Sequence, residues 1–209
     1  RFEAPELIGT TEQSALVGRG EGYEVFAVRW PAFGDVYGEG LLLVPTKGEP
    51  VADVVAIPDA DQTPEQLVGL VEGVTPESQF ARRLAESGCR VIVPVLIDRE
   101  PTVNQISNRE FLYRSAFELG RHLIGYEVQK LLAAVDWFER EETGRKVGVM
   151  GWGEGGLLAL CAGALDVRID ATCVSGYFES RQEVWHEPIE RNVFGLLEQF
   201  GDAELASLI

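Results

Sequence analysis

The chain has 209 residues, of which 45% are hydrophobic and 25% are charged, proportions that exclude a disordered chain and allow one domain with a substantial core. Lys and Arg number 18 against 34 Asp and Glu, which gives a formal net charge of -16. This charge disfavours nucleic acid and anionic membrane surfaces as partners.

Cysteine usage and hydropathy exclude further classes of protein. Cys89, Cys161 and Cys173 lie in apolar segments, so we expect buried free thiols rather than disulfides, and we expect neither a metal nor a cofactor. No apolar run approaches the roughly 18 residues that span a bilayer. The chain begins at Arg1 without a signal-peptide pattern, so we expect a soluble protein whose compartment, export included, stays open.

The predicted elements alternate between strands and helices. Residues 1–22 are polar and without a clear period, and we interpret them as an N-terminal extension. Apolar runs between turn residues predict strands at 23–30, 36–44, 51–57, 90–96, 146–150 and 171–175. Strands and helices in alternation build a mostly parallel sheet covered on both faces, so residues 23–209 are interpreted as one α/β domain.

Helical spacing is found in three regions, at 76–88, 107–138 and 155–164, and residues 198–209 have a helical or turn-like pattern. The segment Ser107-Asn108-Arg109-Glu110 has the pattern of a capping box and opens the longest of these regions. That region is either one long helix or a broken pair of helices. Gly120 and Gly125 are the places where we expect a bend.

The segment from Gly151 to Gly156, Gly-Trp-Gly-Glu-Gly-Gly, follows a predicted strand and opens a predicted helix. This is the outline of the Gly-x-Ser-x-Gly turn that carries the nucleophile of α/β-hydrolases, but Gly153 stands in the place of the serine. Glycine has no side chain that could attack an acyl carbon. The pattern therefore predicts the turn and argues against its chemistry.

Two other interpretations of this glycine-rich turn stay open. It partly matches the dinucleotide fingerprint Gly-x-Gly-x-x-Gly, although it follows several strands and brings the Glu154 carboxylate towards a pyrophosphate. The glycines are also explained by close packing of a strand against a helix.

Four segments together resemble bacterial acetyl xylan esterase-like and dienelactone hydrolase-like α/β-hydrolases. They are residues 55–61 (VAIPDAD), 80–94, 151–156 and 191–209. The resemblance covers most of the chain after about residue 23 and implies an α/β-hydrolase fold that is incomplete at its C-terminal end. It also implies a serine at position 153, followed by an acid and a histidine on later loops. The last of the four segments resembles the part just before the strand that leads to the acid, so both partners are expected beyond Ile209.

The loop from Pro58 to Asp61 stands where related esterases often place a His-Gly pair that completes the oxyanion hole. The backbone N–H groups of Asp59, Ala60 and Glu154 are the candidate donors in this chain. The carboxylates of Asp59, Asp61 and Glu154 would oppose a developing oxyanion if they faced it. The alternative for Asp59 and Asp61 is that they cap the following turn.

Other polar and aromatic residues are candidates at the carboxyl edge of the predicted sheet, where α/β proteins hold ligands. Glu154 is a candidate base or nucleophile, whereas His122 is expected to pack within the long helical region. The candidates for the lining of a cleft at this edge are Trp152, Ser175, Tyr177, Trp185 and His186.

We predict a catalytically degenerate hydrolase domain, which keeps the fold and has lost the nucleophile. Such a domain would bind a carbohydrate or acyl-ester ligand or a partner, or support flanking domains of a longer chain. The first alternative is an active carboxylic-ester hydrolase in which Glu154 or Asp59 drives a water molecule. The second is a nucleotide-binding α/β domain.

Overall fold

The computed structural model describes residues 4–102, 104–141 and 144–209. Arg1–Glu3, which belong to the predicted extension, lie outside the described residues. One sheet of eight strands forms the centre of the fold. The strands are β1 (Glu6–Leu7), β2 (Leu16–Gly20), β3 (Tyr23–Phe33), β4 (Val36–Pro45), β5 (Ala52–Ile57), β6 (Arg90–Pro94), β7 (Lys146–Trp152) and β8 (Ala171–Ser175).

The sheet is mixed, with the order β1-β3-β4-β6-β5-β7-β8, and β2 also pairs with β3. The pairs β5–β6, β5–β7 and β7–β8 are parallel, as expected for an α/β domain. The pairs that involve β1 to β4 are antiparallel. The reason is local, because β3 and β4 are joined by a tight turn in which Gly34 has φ +55, and a turn so short joins only antiparallel strands.

Helices follow the parallel strands and cover the sheet. They are α1 (Pro64–Leu67), α2 (Phe80–Glu86), α3 (Asn108–Glu118), α4 (Leu123–Arg140), α5 (Glu154–Leu165) and α6 (Asp202–Ala206). Short 3-10 helices lie at Pro76–Ser78, Arg181–His186, Ile189–Arg191 and Leu196–Glu198. Among the described residues, no helix has both the length and the hydropathy that crossing a membrane requires.

The long helical region is the broken pair α3 and α4, and not one helix. Gly120 lies in the break with φ +68, a conformation that favours glycine, whereas Gly125 lies inside α4. Ser107 caps α3 by accepting a hydrogen bond from the N–H of Glu110 at 3.0 Å. His122, expected within a helix, instead caps α4, since its Nδ1 accepts from the N–H of Ile124 at 3.1 Å.

Alternating residues of the strands face the two sides of the sheet. In β5, Val55 and Ile57 pack against α4 and α5, whereas Val54 and Ala56 pack on the opposite side against α2. This period of two is the reason that an apolar run such as β5 is buried on both faces. The arrangement brings the ends of β5 and β7 together at one edge of the sheet.

Candidate functional site

The turn between β7 and α5 contains Gly153, which stands in the place of the expected serine. Gly153 is the N-cap of α5, with φ +57 and ψ -118. Residues with a side chain rarely adopt this conformation, and such backbone strain concentrates at functional sites. The hydrogen bond from its N–H to the carbonyl of Ser175, 2.9 Å long, joins the turn to the end of β8.

The neighbouring glycines allow the strands and the helix to approach closely. A Cβ on Gly155 would collide with the carbonyl groups of Ile57 and Pro58, and a Cβ on Gly151 would collide with the carbonyl of Gly155. The space beside these glycines is thus taken by the protein's own backbone. This is the close-packing explanation that the sequence left open.

The Asp59 carboxylate occupies the space beside Gly153. Its Oδ1 accepts a hydrogen bond from the backbone N–H of Glu154 at 2.6 Å. A Cβ built on Gly153 would collide with the same carboxylate. A serine side chain at position 153 and the present position of Asp59 therefore exclude each other.

The backbone N–H groups that are candidate oxyanion-hole donors interact with side chains of the protein itself. The N–H of Asp59 donates to Oε1 of Gln62 at 3.2 Å, and the N–H groups of Glu154 and Ala60 interact with the Asp59 carboxylate. All three candidates of the sequence analysis are thus close together in the structure. The N–H groups of Asp59 and Glu154 already have an acceptor within the chain.

Arg99 binds the two carboxylates of the loop after β5. Its Nη1 donates to Asp59 Oδ2 at 2.9 Å and to Asp61 Oδ2 at 2.8 Å. The Asp59 carboxylate also interacts with the N–H of Ala60 in the turn, whereas the side chain of Thr63 caps α1. The strong preference of a carboxylate for a guanidinium explains the contacts with Arg99.

The side chain of Glu154 is only 1% exposed and lies among three arginines. Its Oε2 accepts from Arg99 at 3.0 Å and from Arg191 at 2.8 Å, and its Oε1 accepts from Arg109 at 2.9 Å. A buried carboxylate requires such partners because its desolvation is otherwise very costly.

Arg109 extends this network to a second buried carboxylate. It forms a two-pronged pair with Glu127 at 2.9 and 2.8 Å and also donates to the carbonyl of Ile97 at 2.8 Å. Neither side chain of the pair is exposed. Sequence reasoning did not find Arg99, Arg109, Arg191 or Glu127. The sequence did contain one signal for them, which is Glu154 at the start of an apolar helix, because a buried acid requires a cationic partner.

The pKa of the Asp59 carboxyl lies below its ordinary value. Burial by itself raises the pKa, but the hydrogen bond from Arg99 and the backbone donors at Glu154 and Ala60 outweigh burial. Asp59 is therefore held as a carboxylate whose oxygens are already engaged.

A cleft of about 440 Å³ lies beside the turn. Trp152, 48% exposed, and Ser175 line it, together with Thr75 before α2 and Phe80 at the start of that helix. An exposed indole beside hydroxyl and amide groups is suited to a flat, polar ligand.

The other three predicted residues of the cleft lie elsewhere. Tyr177 is buried beneath Arg181, which donates to its hydroxyl, and burial raises its pKa. Trp185 and His186 are exposed on the 3-10 helix Arg181–His186, where their rings contact each other. None of these three residues is in the lining of the cleft beside Trp152.

The three cysteines are free thiols with different environments. Cys89 is buried and Cys161 is partly buried, whereas Cys173 is exposed on the edge strand β8, so the expectation of burial is wrong for Cys173. Burial raises the pKa of Cys161 to about 11. In the described part of the chain, no three His, Cys, Asp or Glu side chains are grouped so that they could hold a metal ion.

The chain matches one family model and several solved structures. The model of the dienelactone hydrolase family matches residues 51–193. A protein assigned as an acetyl xylan esterase from Bacteroides fragilis NCTC 9343 has a TM-score of 0.61 at 21% identity, over 81% of this chain and 47% of its own. Acetyl xylan esterase 1 from Thermoanaerobacterium sp. JW/SL YS485 has a TM-score of 0.54 at 14% identity, over 98% of this chain and 65% of its own.

A cold-adapted esterase from an Arctic intertidal metagenomic library has a TM-score of 0.50 at 19% identity, over 74% of this chain and 59% of its own. At these identities the likeness is one of fold. The chain spans about half to two thirds of the length of these structures. A search of the curated proteins finds no match.

Proposed function

Because this chain belongs to the dienelactone hydrolase family, whose model matches residues 51–193, we propose that it keeps the hydrolase scaffold without acyl transfer at position 153. In this proposal the domain binds a ligand or a partner, or supports neighbouring domains, and does not form an acyl-enzyme. The observation that carries the proposal is the position of the Asp59 carboxylate. It fills the space that a side chain at position 153 would need, and it accepts a hydrogen bond from the N–H of Glu154.

Two requirements of acyl transfer are affected by this one carboxylate. A nucleophilic oxygen must stand at the turn, and backbone N–H groups must be free to bind the oxygen that becomes negative. Gly153 supplies no oxygen, and the Glu154 N–H is bound to an anion of the chain. An acyl oxygen at this position would also meet the negative charge of Asp59.

The geometry supports an active hydrolase driven by Glu154 or Asp59 less well. Glu154 is surrounded by Arg99, Arg109 and Arg191, so both of its oxygens are engaged, and only 1% of its side chain is exposed. Asp59 has a lowered pKa and both of its oxygens are engaged. A general base works best with a pKa near the operating pH and with access to the water that it activates.

The ligand that we propose is a carbohydrate or an acyl ester, bound in the cleft beside Trp152. Two of the structures with a similar fold carry the name acetyl xylan esterase, and the indole of Trp152 offers a face on which a sugar ring can stack. Thr75, Ser78 and Ser175 surround this face with hydroxyl groups. Recognition by such a site needs no nucleophile.

The test combines a covalent probe with turnover. The protein in its full natural length is treated with a fluorophosphonate, which labels activated serines, and is assayed with short acyl esters. We expect neither labelling nor turnover, and we expect none from the Glu154→Gln variant. Labelling of any residue, or turnover that Glu154→Gln or Asp59→Asn abolishes, would overturn the proposal.

A further inference from the structure

A crevice between helices α3 and α4 shares no lining residue with the cleft at Trp152. The lining residues recur with the spacing of one helical face, at 112, 115 and 116 on α3, at its C-cap 119, and at 123, 126, 127 and 130 on α4. The two helices are joined by only four residues, and Gly120 in this connection has φ +68.

The walls of the crevice are apolar. They are formed by Leu112, Ala116, Leu119, Leu123 and Tyr126, and Val36 and Ile97 contribute from the sheet side. Leu119 stands at the rim with 76% of its surface exposed. A contiguous patch of exposed apolar side chains around a concavity often marks a binding site.

The carboxylate in the lining of the crevice is already paired. It belongs to Glu127, whose oxygens both accept from Arg109, and Oε1 also accepts from the N–H of Ile97 at 3.1 Å. A ligand that enters between the helices therefore meets a satisfied ion pair there and not a free carboxylate. The cavity of about 290 Å³ has room for about ten non-hydrogen atoms, if each takes the roughly 30 Å³ of a water molecule in the liquid.

One cationic side chain lines this apolar crevice. Lys130 is half-buried, and within the described part of the chain no carboxylate lies within ion-pair distance of its ammonium group. Its charge complements an anionic head on an otherwise apolar molecule.

We propose that this crevice binds a small amphiphilic monocarboxylate, such as a medium-chain fatty acid, with the carboxylate on Lys130 and the chain between α3 and α4. The apolar tail removes the faces of Leu112, Leu119 and Tyr126 from water. The head group gains a charge-assisted contact with Lys130. The site is separate from the turn at Gly153 and does not depend on the function proposed there.

Isothermal titration calorimetry with octanoate, acetate and octanol tests the proposal on the whole protein. We expect a single site for octanoate, no binding of acetate, which lacks the tail, and weaker binding of octanol, which lacks the charge. Lys130→Met should weaken octanoate binding about tenfold or more, because it removes one charge-assisted contact. Lys47→Met, in the exposed turn after β4, is the control with the same change of charge and should bind octanoate like the wild type.

Leu119→Gln provides a second test at an exposed position where folding is not at risk. It should weaken octanoate binding several-fold because it removes apolar contact at the rim. The proposal is overturned if octanoate does not bind the wild type at millimolar concentration, or if Lys130→Met and Lys47→Met bind it equally. Equal binding by Leu119→Gln and the wild type would overturn the placement between the helices.

Discussion

The carboxylate of Asp59 and the backbone N–H of Glu154 are joined by a hydrogen bond of 2.6 Å, across the point at which β7 turns into α5. Arg99 strengthens this relationship because it binds the second oxygen of Asp59 and also the side chain of Glu154. The loop after β5 is thus fixed to the first residue of α5 through both main chain and side chain. Gly153 lies between them and leaves the space that the carboxylate fills.

Gly153→Ala should destabilise the protein by about 1–3 kcal/mol, because alanine is strained at φ +57 and its Cβ collides with Asp59. Gly125→Ala is the matched control. An added Cβ there meets no atom, and Gly125 is helical, so we expect a gain of about 0.5–1 kcal/mol. Denaturant unfolding measures both, and changes of the same sign would contradict the prediction.

Arg109→Met should lower the free energy of unfolding by about 3–5 kcal/mol, because it leaves two buried carboxylates, Glu127 and Glu154, without their shared partner. Arg114→Met on the same helix breaks only an exposed pair with Glu110, and such pairs contribute about 0–1 kcal/mol. Equal losses in the two variants, measured by chemical denaturation, would show that burial does not matter here.

Asp59 should make the stability of the protein sensitive to acid. Its pKa in the folded state is below that of the unfolded chain, about 3.9, so its stabilising contribution is present above about pH 4 and is lost as the pH falls through the folded-state pKa. The difference in unfolding free energy between the wild type and Asp59→Asn should therefore shrink below about pH 4. Asp35→Asn, in the exposed turn between β3 and β4, controls for net charge, and a parallel loss in that variant would assign the effect to charge alone.

His122 should add a second pH dependence nearer neutrality. Burial lowers its pKa, against the hydrogen bond to the carbonyl of Asn192, and its Nδ1 must stay unprotonated to cap α4. The contribution is present above the unfolded pKa of about 6.5 and is lost as the pH falls through the lower folded-state value.

Asn caps helices without titrating, so His122→Asn should keep the cap and remove this pH dependence. Thermal unfolding between about pH 7.5 and 5 compares the two proteins. A variant that loses stability over this range as steeply as the wild type would exclude His122 as the group responsible.

The features that could be predicted from the sequence are those set by neighbouring residues. The glycines around position 153 lie within six residues, and their positions alone indicate a close strand-to-helix turn. Gly120 likewise marks the break between α3 and α4, because a residue in the left-handed region ends a helix. The antiparallel half of the sheet was missed in part because β1 and β2 are short and polar.

The arginines around Glu154 could not be located in the same way. Arg99, Arg109 and Arg191 lie 55, 45 and 37 positions from Glu154 in the sequence, and only the fold brings them together. Helix α3 also reverses the usual pattern, because Arg109 is buried whereas Phe111 and Phe117 are exposed. A prediction from apolar periodicity alone assigns the wrong face of this helix to the interior.

The single carboxylate of Glu154 joins three parts of the chain, namely the segment after β6, the start of α3 and the 3-10 helix at Ile189–Arg191. An arginine that moves away takes with it a charge-assisted hydrogen bond to a buried carboxylate, which is costly to lose. The three segments should therefore open as one cooperative unit, and the free energies of opening measured by amide hydrogen exchange should agree among them.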